Sequence, residues 1–346
     1  MSYKGIAAVA TRPDLSLLRY PGGKRKLIPL IAEVFDKAGS PIKLLVEPFA
    51  GGAAVSIAFL ESGMADEIAL SDKDDLVAGL WRTVFSDQAE HLAAMVLDAP
   101  LSITEWERLR LEQPSTDLAR AYKCLYLNRT SFSGILHERS GPIGGRQQTG
   151  KFTLGCRFNK QNIARRILEL STHRDRVRFV RCQGYGATVA QIARMKLATS
   201  SPEGVFWYLD PPFFKKADKL YRHWFDISDH RQLSRRLDGL TGHWILSYDA
   251  ADEAQKLYGN HPGFAKVLLS YNARIDTGER QTANEILVSN VIAQVRARAE
   301  SLPIVDEDSS HRNERDSISS PLFCLVSQPK VNSYQRTQPE ARGARI

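Results

Sequence analysis

Seven short apolar segments, separated mostly by helical patterns, constrain the fold of this chain more than any other feature. Each segment is rich in β-branched or aromatic residues and is bounded by turn residues, which is typical of a strand. The segments are residues 43–49, 67–72, 177–182, 205–210, 243–248, 264–271 and 284–290. A helical pattern at 25–39 precedes the first segment, and others at 54–63 and 229–240 lie between later ones. This alternation predicts a mostly parallel sheet with helices on both faces.

The last two strand segments have no helix between them. Their connection, NARIDTGERQTA, is polar and turn-rich, so segments 264–271 and 284–290 are expected to form an antiparallel edge hairpin. The predicted fold class is therefore α/β, with a Rossmann-like seven-stranded sheet that is mostly parallel.

The span between the second and third segments is too long for a single crossover connection. It holds a helical pattern at 117–129 and a polar, glycine-rich stretch at 140–152. We expect residues 89–176 to form an inserted, mainly helical subdomain, which leaves 16–88 and 177–293 to form the sheet domain.

Both ends of the chain lack these patterns. Residues 1–15 are expected to be an N-terminal tail. Residues 294–346 are polar and interrupted by Pro and Ser, and they are predicted to be a mostly disordered C-terminal tail.

Positive charge is concentrated in the middle of the chain. The segment from Arg120 to Cys182 has fourteen Lys or Arg residues and three Asp or Glu residues, a net charge of +11 in a protein whose total is +8. A solvated basic face with no partner is the ordinary explanation for a mildly basic protein. Because one segment carries more than the whole excess, a nucleic-acid surface is favoured here.

Several protein classes are disfavoured by the sequence. No apolar run approaches the length of about 18 residues that spans a membrane, and the N-terminal apolar stretch is too short for a signal-peptide core. The four cysteines are scattered without a CxxC pair, which argues against a zinc site or a disulfide framework and favours a reducing cytoplasm.

Polar or flexible residues follow the first two strand segments. The first ends in EPFAGGAAV, where Gly51 and Gly52 permit a tight turn beside a ligand, and the second ends in SDKDD, where Asp72 is placed to accept hydrogen bonds from ribose hydroxyls. Either feature alone is often just a turn or a helix cap. Together, on adjacent strands, they predict a nucleoside-containing cofactor.

The fourth segment ends in an acid followed by two prolines and two phenylalanines, DPPFF. Asp210 is predicted to face the same crevice as the first strand, and Pro211 and Pro212 have carbonyls but no N–H groups. A carboxylate and a carbonyl that accept the two N–H groups of an aromatic amine would localise its lone pair, and the acid would stabilise positive charge on the attacking nitrogen. Phe213 offers a flat face for stacking. A strand followed by a simple Pro-Pro turn would explain the prolines but not the acid.

These motifs together resemble the Dam-type DNA adenine methyltransferases, which use S-adenosylmethionine. The motifs are YPGGK (20–24), EPFAGGAAV (47–55), LSDKDDL (70–76), YLNRTSFSG (126–134), DPPF (210–213) and ILSYD (245–249). They occur in the family's order over roughly residues 16–292. The resemblance implies methylation of the exocyclic amine of a flipped adenine in double-stranded DNA by a cytoplasmic, monomeric protein. It implies no metal, and it leaves a cognate restriction endonuclease open as a partner.

The resemblance also assigns expected roles. Asp210, Pro211, Pro212 and Phe213 would be catalytic. The residues expected to bind the cofactor are Tyr20, Pro21, Lys24, Glu47, Pro48, Phe49, Gly51, Gly52, Asp72 and Asp210. The residues expected from the resemblance to contact DNA are Arg19, Arg129, Phe132, Ser133, Ile135 and His137. The basic insert adds Arg139, Arg146, Lys151 and Arg157 as expected DNA contacts.

Three positions depart from the family pattern. Phe213 stands where Tyr is commoner, which keeps the stacking face and loses a hydroxyl. His137 and Ser133 stand where members that read GATC have Arg and Asn, and Arg is the side chain suited to bidentate contact with guanine. Recognition of GATC is therefore not implied, although Arg139 lies nearby.

Two further interpretations remain. A DNA-binding or sensing protein that kept the fold and lost turnover is the first, and the intact DPPF and Lys24 speak against it. An RNA or cytosine amine methyltransferase is the second. Because cytosine-directed relatives commonly have Ser in place of the acid, Asp210 favours adenine.

Overall fold

The computed structural model of the chain describes residues 4–19, 24–215, 217–274 and 280–301. These residues form one seven-stranded sheet in the order β3-β2-β1-β4-β5-β7-β6. The strands are β1 (Ile42–Glu47), β2 (Ala65–Asp72), β3 (Val177–Cys182), β4 (Val205–Leu209), β5 (His243–Asp249), β6 (Phe264–Arg274) and β7 (Arg280–Ser289).

The sheet is mixed in the way the sequence predicts. Strands β1 to β5 pair in parallel, and β7 runs antiparallel to both β5 and β6. The chain moves outwards from β1 through β2 to β3, then returns to place β4 on the other side of β1. Because the connections diverge between β1 and β4, a crevice opens at the carboxyl ends of these two strands, which is where α/β sheets bind ligands.

Helices connect and cover the strands. They are α1 (Lys4–Thr11), α2 (Ile28–Asp36), α3 (Ala54–Glu61), α4 (Asp75–Val84), α5 (Ala89–Asp98), α6 (Ile103–Leu111), α7 (Asp117–Thr130), α8 (Lys160–Ser171), α9 (Tyr185–Ala193), α10 (Lys196–Ser200), α11 (Ala217–Leu220), α12 (Ile227–Leu237), α13 (Asp252–Tyr258) and α14 (Asn290–Ser301).

Each face of the sheet has its own apolar core. Every residue of β4 is buried, as expected for a central strand covered on both sides. Phe206 and Tyr208 point into the core that also contains Trp81 and the helices of the insert. Trp207 and Leu209 point into the opposite core, with α9 and α12. The sheet is therefore a rigid base for the residues at its rim.

The insert is helical, and it packs directly onto the sheet domain. Helices α7 and α8 of the insert both contact α4 of the sheet domain. The Arg166 side chain of α8 is fully buried and forms a bidentate ion pair with Glu61 of α3, at 2.6 and 3.0 Å. The insert is thus joined to the helix that follows the glycine turn.

Two features differ from the expected tails. Residues 4–11 form helix α1, whose Ile6 and Ala10 are buried in the core, so this part of the predicted N-terminal tail is packed structure. Helix α14 continues through Ser301, so the predicted start of the C-terminal tail at residue 294 falls inside a helix. The remainder of that predicted tail, 302–346, lies outside the described residues.

Candidate active site

A cavity of about 630 Å³ lies at the carboxyl ends of β1, β2 and β4. Many of the residues that the sequence predicts for cofactor, DNA or catalysis line it. They are Arg19, Lys24, Glu47, Pro48, Phe49, Gly51, Gly52, Asp72, Arg129, Ser133, Asp210 and Pro212. Tyr20 and Pro21 lie outside the described residues.

The glycine turn after β1 is held against the end of β2. Gly51 donates its N–H to Oδ2 of Asp72 at 2.8 Å, and the Gly51 carbonyl accepts from the indole of Trp81 at 2.8 Å. Gly51 and Ala53 both have positive φ, 43° and 48°. Oδ1 of Asp72 accepts the N–H of Asp74 at 2.9 Å. Since each carboxylate oxygen has a further lone pair, Asp72 retains capacity to accept hydroxyl donors from a ligand.

Glu47 and Asp72, at the ends of β1 and β2, have raised pKa values. Burial raises the pKa of Glu47 to about 8, although Ser56 donates its N–H to Oε2 at 3.1 Å. Burial, and then the neighbouring Asp74, raise the pKa of Asp72 to about 7. Burial disfavours the charged form of these carboxyl groups, and a nearby positive charge would favour it. The cavity therefore suits a ligand that brings positive charge.

Three aromatic side chains form a cluster at one side of the cavity. The rings of Phe49, Tyr185 and Phe225 lie 5.6 to 5.9 Å apart, centroid to centroid. All three residues line the cavity. Their apolar faces suit a flat ring such as a nucleobase. Tyr185 and Phe225 were not predicted from the sequence, since no motif marks them.

Asp210 lies at the cavity rim, directly after β4. Its Oδ1 accepts a hydrogen bond from the hydroxyl of Ser247 on β5 at 3.0 Å. The ammonium nitrogen of Lys24 lies 3.6 Å from the same oxygen. Burial raises the pKa of Asp210, while Lys24 and Ser247 act in the opposite direction. The structure therefore brings Lys24 and Asp210 together, although 185 positions separate them in the sequence.

The phenylalanines of DPPFF have different surroundings. Phe213 is half-buried, its ring lies 5.8 Å from that of Tyr221, and the Lys24 nitrogen lies 5.1 Å from its centroid. Phe214 stacks on His230 with centroids 3.8 Å apart, and His230 Nδ1 is 2.7 Å from the hydroxyl of Tyr248. Burial lowers the pKa of His230 to about 4, so this imidazole is neutral at ordinary pH. The stack anchors the segment that carries Asp210.

Glu285 is a second carboxylate at Lys24 that the sequence analysis missed. It lies on β7, is 7% exposed, and places Oε2 3.2 Å from the Lys24 nitrogen. Its sequence signal is an acid directly before the apolar run ILV in the strand segment NEILVSN.

Arg129, predicted to contact DNA, directs its guanidinium inward. Nε donates to the carbonyl of Leu17 at 2.7 Å, and Nη2 donates to that of Ser16 at 3.4 Å. The neighbouring Asn128 binds both the N–H and the carbonyl of Arg19, at 2.8 and 3.2 Å. Helix α7 thereby holds segment 15–19, which forms one wall of the cavity.

Most of the other residues predicted to contact DNA are exposed to solvent. Phe132 is 67% exposed and stands next to Ser133, which has a positive φ of 57°. Also exposed are Arg139, Arg146, Lys151 and Arg157, while Ile135 and His137 are half-buried. Two of these side chains make long ion pairs, Arg139 with Asp218 at 4.0 Å and Arg146 with Glu107 at 3.5 Å.

Other members of the basic segment serve the fold. Arg166 pairs with Glu61, Arg178 pairs with Glu67, and Arg176 donates to three main-chain carbonyls. The net charge of the segment thus overstates the charge that its exposed side chains offer to a partner.

Among the described residues, no three His, Cys, Asp or Glu side chains lie close enough together to hold a metal ion. The described helices include none whose length and apolar character would suit a membrane span.

The chain matches the family of D12 class N6 adenine-specific DNA methyltransferases over residues 20–272, most of its length. No curated protein matches it.

Proposed function

The chain belongs to the D12 class of N6 adenine-specific DNA methyltransferases, and on that premise we propose that it transfers the methyl group of S-adenosylmethionine to the exocyclic amine of an adenine flipped out of duplex DNA. The observation that carries this proposal is the position of Asp210, at the rim of a cavity whose other walls are the glycine turn, Asp72 and Lys24.

The cavity residues fit S-adenosylmethionine by their chemistry. Asp72 has lone pairs for ribose hydroxyls, and the rings of Phe49, Tyr185 and Phe225 offer apolar faces to an adenine ring. Glu47 is buried with a pKa raised to about 8, so a cationic ligand would stabilise its charged form. Tyr20, Pro21, Pro48 and Lys24 belong to the same proposed cofactor site.

When bound, the cofactor would supply an activated methyl group: the N–C bond would form as the C–S bond breaks, sulfur would keep the electron pair, and the methylated nitrogen would release one proton to water. Asp210 accepts one N–H of the target amine, and the carbonyl of Pro211 accepts the other. The carboxylate also stabilises the positive charge that develops on the nitrogen. Pro212 shapes the rim, and Phe213 stacks on the flipped base.

The exposed basic surface would bind the DNA backbone. Arg139, Arg146, Lys151 and Arg157 are the side chains proposed to meet phosphates, so affinity should fall steeply with salt. Contacts to bases are expected from Phe132, Ser133, Ile135, His137 and Arg19, and two of these residues, Arg19 and Ser133, line the cavity. Arg129 acts indirectly, because it holds the wall segment that leads to Arg19. The scattered cysteines favour a cytoplasmic location.

Methyl incorporation from labelled S-adenosylmethionine into mixed-sequence DNA tests the proposal. We expect the wild-type protein to label DNA and Asp210→Ala to lose about 10³-fold or more in rate while DNA binding persists. Asp238→Ala, which removes an acid that is 80% exposed on its side chain, is the matched control and should retain activity. Single-molecule sequencing of the labelled DNA would then read which adenines are modified.

Three results would contradict the proposal. Equal labelling by wild type and Asp210→Ala would remove Asp210 from the mechanism. Binding of DNA without labelling by any form would favour a DNA-sensing protein. Preferential labelling of RNA, or of cytosine, would reassign the acceptor.

A further inference from the structure

Lys24 lies between two carboxylates from different parts of the sheet. Its side chain is 2% exposed, and its nitrogen lies 3.6 Å from Asp210 Oδ1 and 3.2 Å from Glu285 Oε2. Asp210 follows the parallel strand β4, whereas Glu285 lies on the antiparallel strand β7. One buried cation is thus shared by two acids, and the acid nearer to it is not the one assigned to the reaction.

This arrangement bears on the proposed chemistry. Asp210 assists the reaction by accepting an amine N–H and by stabilising positive charge on the nitrogen. An ammonium group paired with Asp210 would compete for the same oxygen and would cancel part of its field, which is strong in a site with little water. A lysine so close to the carboxylate therefore needs a charge partner of its own.

We propose that Glu285 is the counter-ion of Lys24 and acts as a positioning residue, which holds the ammonium away from Asp210 while the target amine is bound. The proposal rests on the proposed methyl transfer to adenine and adds a residue to it.

The fold gives Glu285 a fixed position for this role. Glu285 is paired across the sheet with Asp249 of β5 and with Val267 of β6, so its main chain is held on both sides. It is buried, which limits the side chain to few conformations. Burial raises the pKa of Glu285 and Lys24 lowers it, as it does that of Asp210, which is consistent with one cation serving both acids.

Phe213 completes the position of Lys24. The Lys24 nitrogen lies 5.1 Å from the centroid of the Phe213 ring, within the range of a cation–π contact. The ammonium is thereby held from three directions, by Asp210, Glu285 and Phe213. When the Glu285 charge is removed, Asp210 is the one of these three neighbours that still carries a carboxylate. Lys24 is then expected to shift towards Asp210.

A double-mutant cycle on full-length protein tests this role. The variants are Glu285→Gln, which keeps the shape and removes the charge, Lys24→Gln, and the double variant. We expect Glu285→Gln to lower kcat roughly 10-fold to 100-fold, the range of coupling between charged groups in contact. In the Lys24→Gln background the same change should have little further effect, because the ammonium that needs a partner is gone.

Two additional variants separate this role from a purely structural one. Glu285→Asp restores the charge on a shorter side chain and should recover part of the lost rate. Glu67→Gln removes a carboxylate that pairs with Arg178, outside the cavity lining, and should leave kcat unchanged. The Kd for S-adenosylmethionine, measured by calorimetry, should change less than about 3-fold in Glu285→Gln, since the predicted defect lies in the chemical step.

Several outcomes would overturn the proposal. The first is a wild-type kcat for Glu285→Gln. The second is a double variant whose fold-loss in kcat equals the product of the losses in Lys24→Gln and Glu285→Gln. The third is a weakened affinity for the cofactor that accounts for the whole loss in Glu285→Gln. A wild-type protein that methylates no DNA would instead remove the proposed function, and this role with it.

Discussion

The hydroxyl of Ser247 on β5 donates a hydrogen bond to Asp210, which directly follows the adjacent strand β4, at 3.0 Å. The same hydroxyl lies 2.9 Å from that of Tyr208, so it is oriented by a buried partner. This contact stabilises the charged form of Asp210 against the burial that raises its pKa. The deprotonated form of Asp210, which can accept a hydrogen bond from an amine, is therefore stabilised by a residue outside DPPF.

Ser247→Ala should shift the acidic limb of the pH–rate profile upwards. The substitution removes a hydrogen bond to the charged form, so the pKa of Asp210 rises and the rate at a given acidic pH falls. We expect a shift of about one pH unit, since one pKa unit corresponds to about 1.4 kcal/mol. A pH profile of kcat for wild type and variant measures it, and superimposable profiles would contradict the assignment. Ser234→Ala, an exposed hydroxyl on α12, is the control.

Binding of S-adenosylmethionine should tighten as pH rises from about 6 to 8.5. Glu47 has a pKa raised from 4.5 to about 8, and Asp72 has one raised from 3.8 to about 7. A cationic ligand favours their charged forms, so binding releases protons, and Kd changes by at most about tenfold per pH unit for each proton released. Calorimetry in buffers of different ionisation enthalpy counts the protons. Glu47→Gln should flatten the profile, and a pH-independent Kd in the wild type would be evidence against this assignment.

The ligand-free protein should show the opposite trend in stability. A carboxyl group whose pKa is higher in the folded state binds protons more tightly there, so the free energy of unfolding falls as pH rises from about 4.5 towards 8. The cofactor should therefore raise the melting temperature more at pH 8 than at pH 6. A smaller shift at the higher pH would count against this linkage.

Gly134→Ala should weaken both stability and DNA binding. Gly134 has a φ of 74°, and an added Cβ would meet the main-chain oxygen of Arg19. We expect a loss of about 1–3 kcal/mol, measured by denaturant unfolding, because a non-glycine residue is strained at this φ. Gly141→Ala is the matched control, since its Cβ would have nothing within 4 Å. Equal behaviour of the two variants would argue that the Arg19 contact is unimportant.

Arg166→Met should be far more destabilising than Arg165→Met on the same helix. Arg166 is buried and bonds Glu61 in a bidentate pair and the carbonyl of Leu15 at 2.8 Å. Removal of one partner of a buried ion pair leaves the other uncompensated and costs about 3–5 kcal/mol. Arg165 pairs with Asp14 and Glu169 at the solvent-exposed surface, so these pairs should contribute little to the stability of the fold. Melting temperatures that fall equally would contradict this difference.

Substitution of Arg139, Arg146 and Lys151 by Gln should reduce the salt dependence of DNA binding. Each phosphate contact that is lost lowers the slope of log Kd against log salt by about 0.9. Arg178→Gln is the control, because this side chain pairs with Glu67 on the sheet edge. Fluorescence anisotropy at several salt concentrations measures the slopes. An unchanged slope in the triple variant would show that these three side chains do not contact DNA phosphates.

The sequence predicts the sheet well because local patterns determine it. The run VFWYL is entirely apolar, VRFVRC is rich in β-branched and aromatic residues, and β3 and β4 lie within a residue of the predicted bounds. Helix α1 was missed because its pattern, KGIAAVAT, is short and small-sided, and only tertiary packing buries Ile6.

The candidate site was predictable where its residues follow strand ends. Asp72 and Asp210 come directly at or after strand ends, and parallel pairing brings those ends together. Glu285 and Ser247 could not be assigned in this way, because their proximity to Lys24 and Asp210 depends on which strands become neighbours. The sequence also could not predict that Arg129 points inward, because its hydrogen-bond acceptors are main-chain carbonyls and these do not depend on side-chain identity.

The antiparallel course of β7 has a consequence for biosynthesis. Lys24 leaves the ribosome early. Glu285 is translated much later, because it lies on β7, which is followed only by α14 in the described part of the chain. A nascent chain that has completed β4 already displays DPPF, yet its lysine has no second acid beside it. We expect competence for methylation to be acquired late, after translation of β7, which keeps a half-made polypeptide from marking the genome.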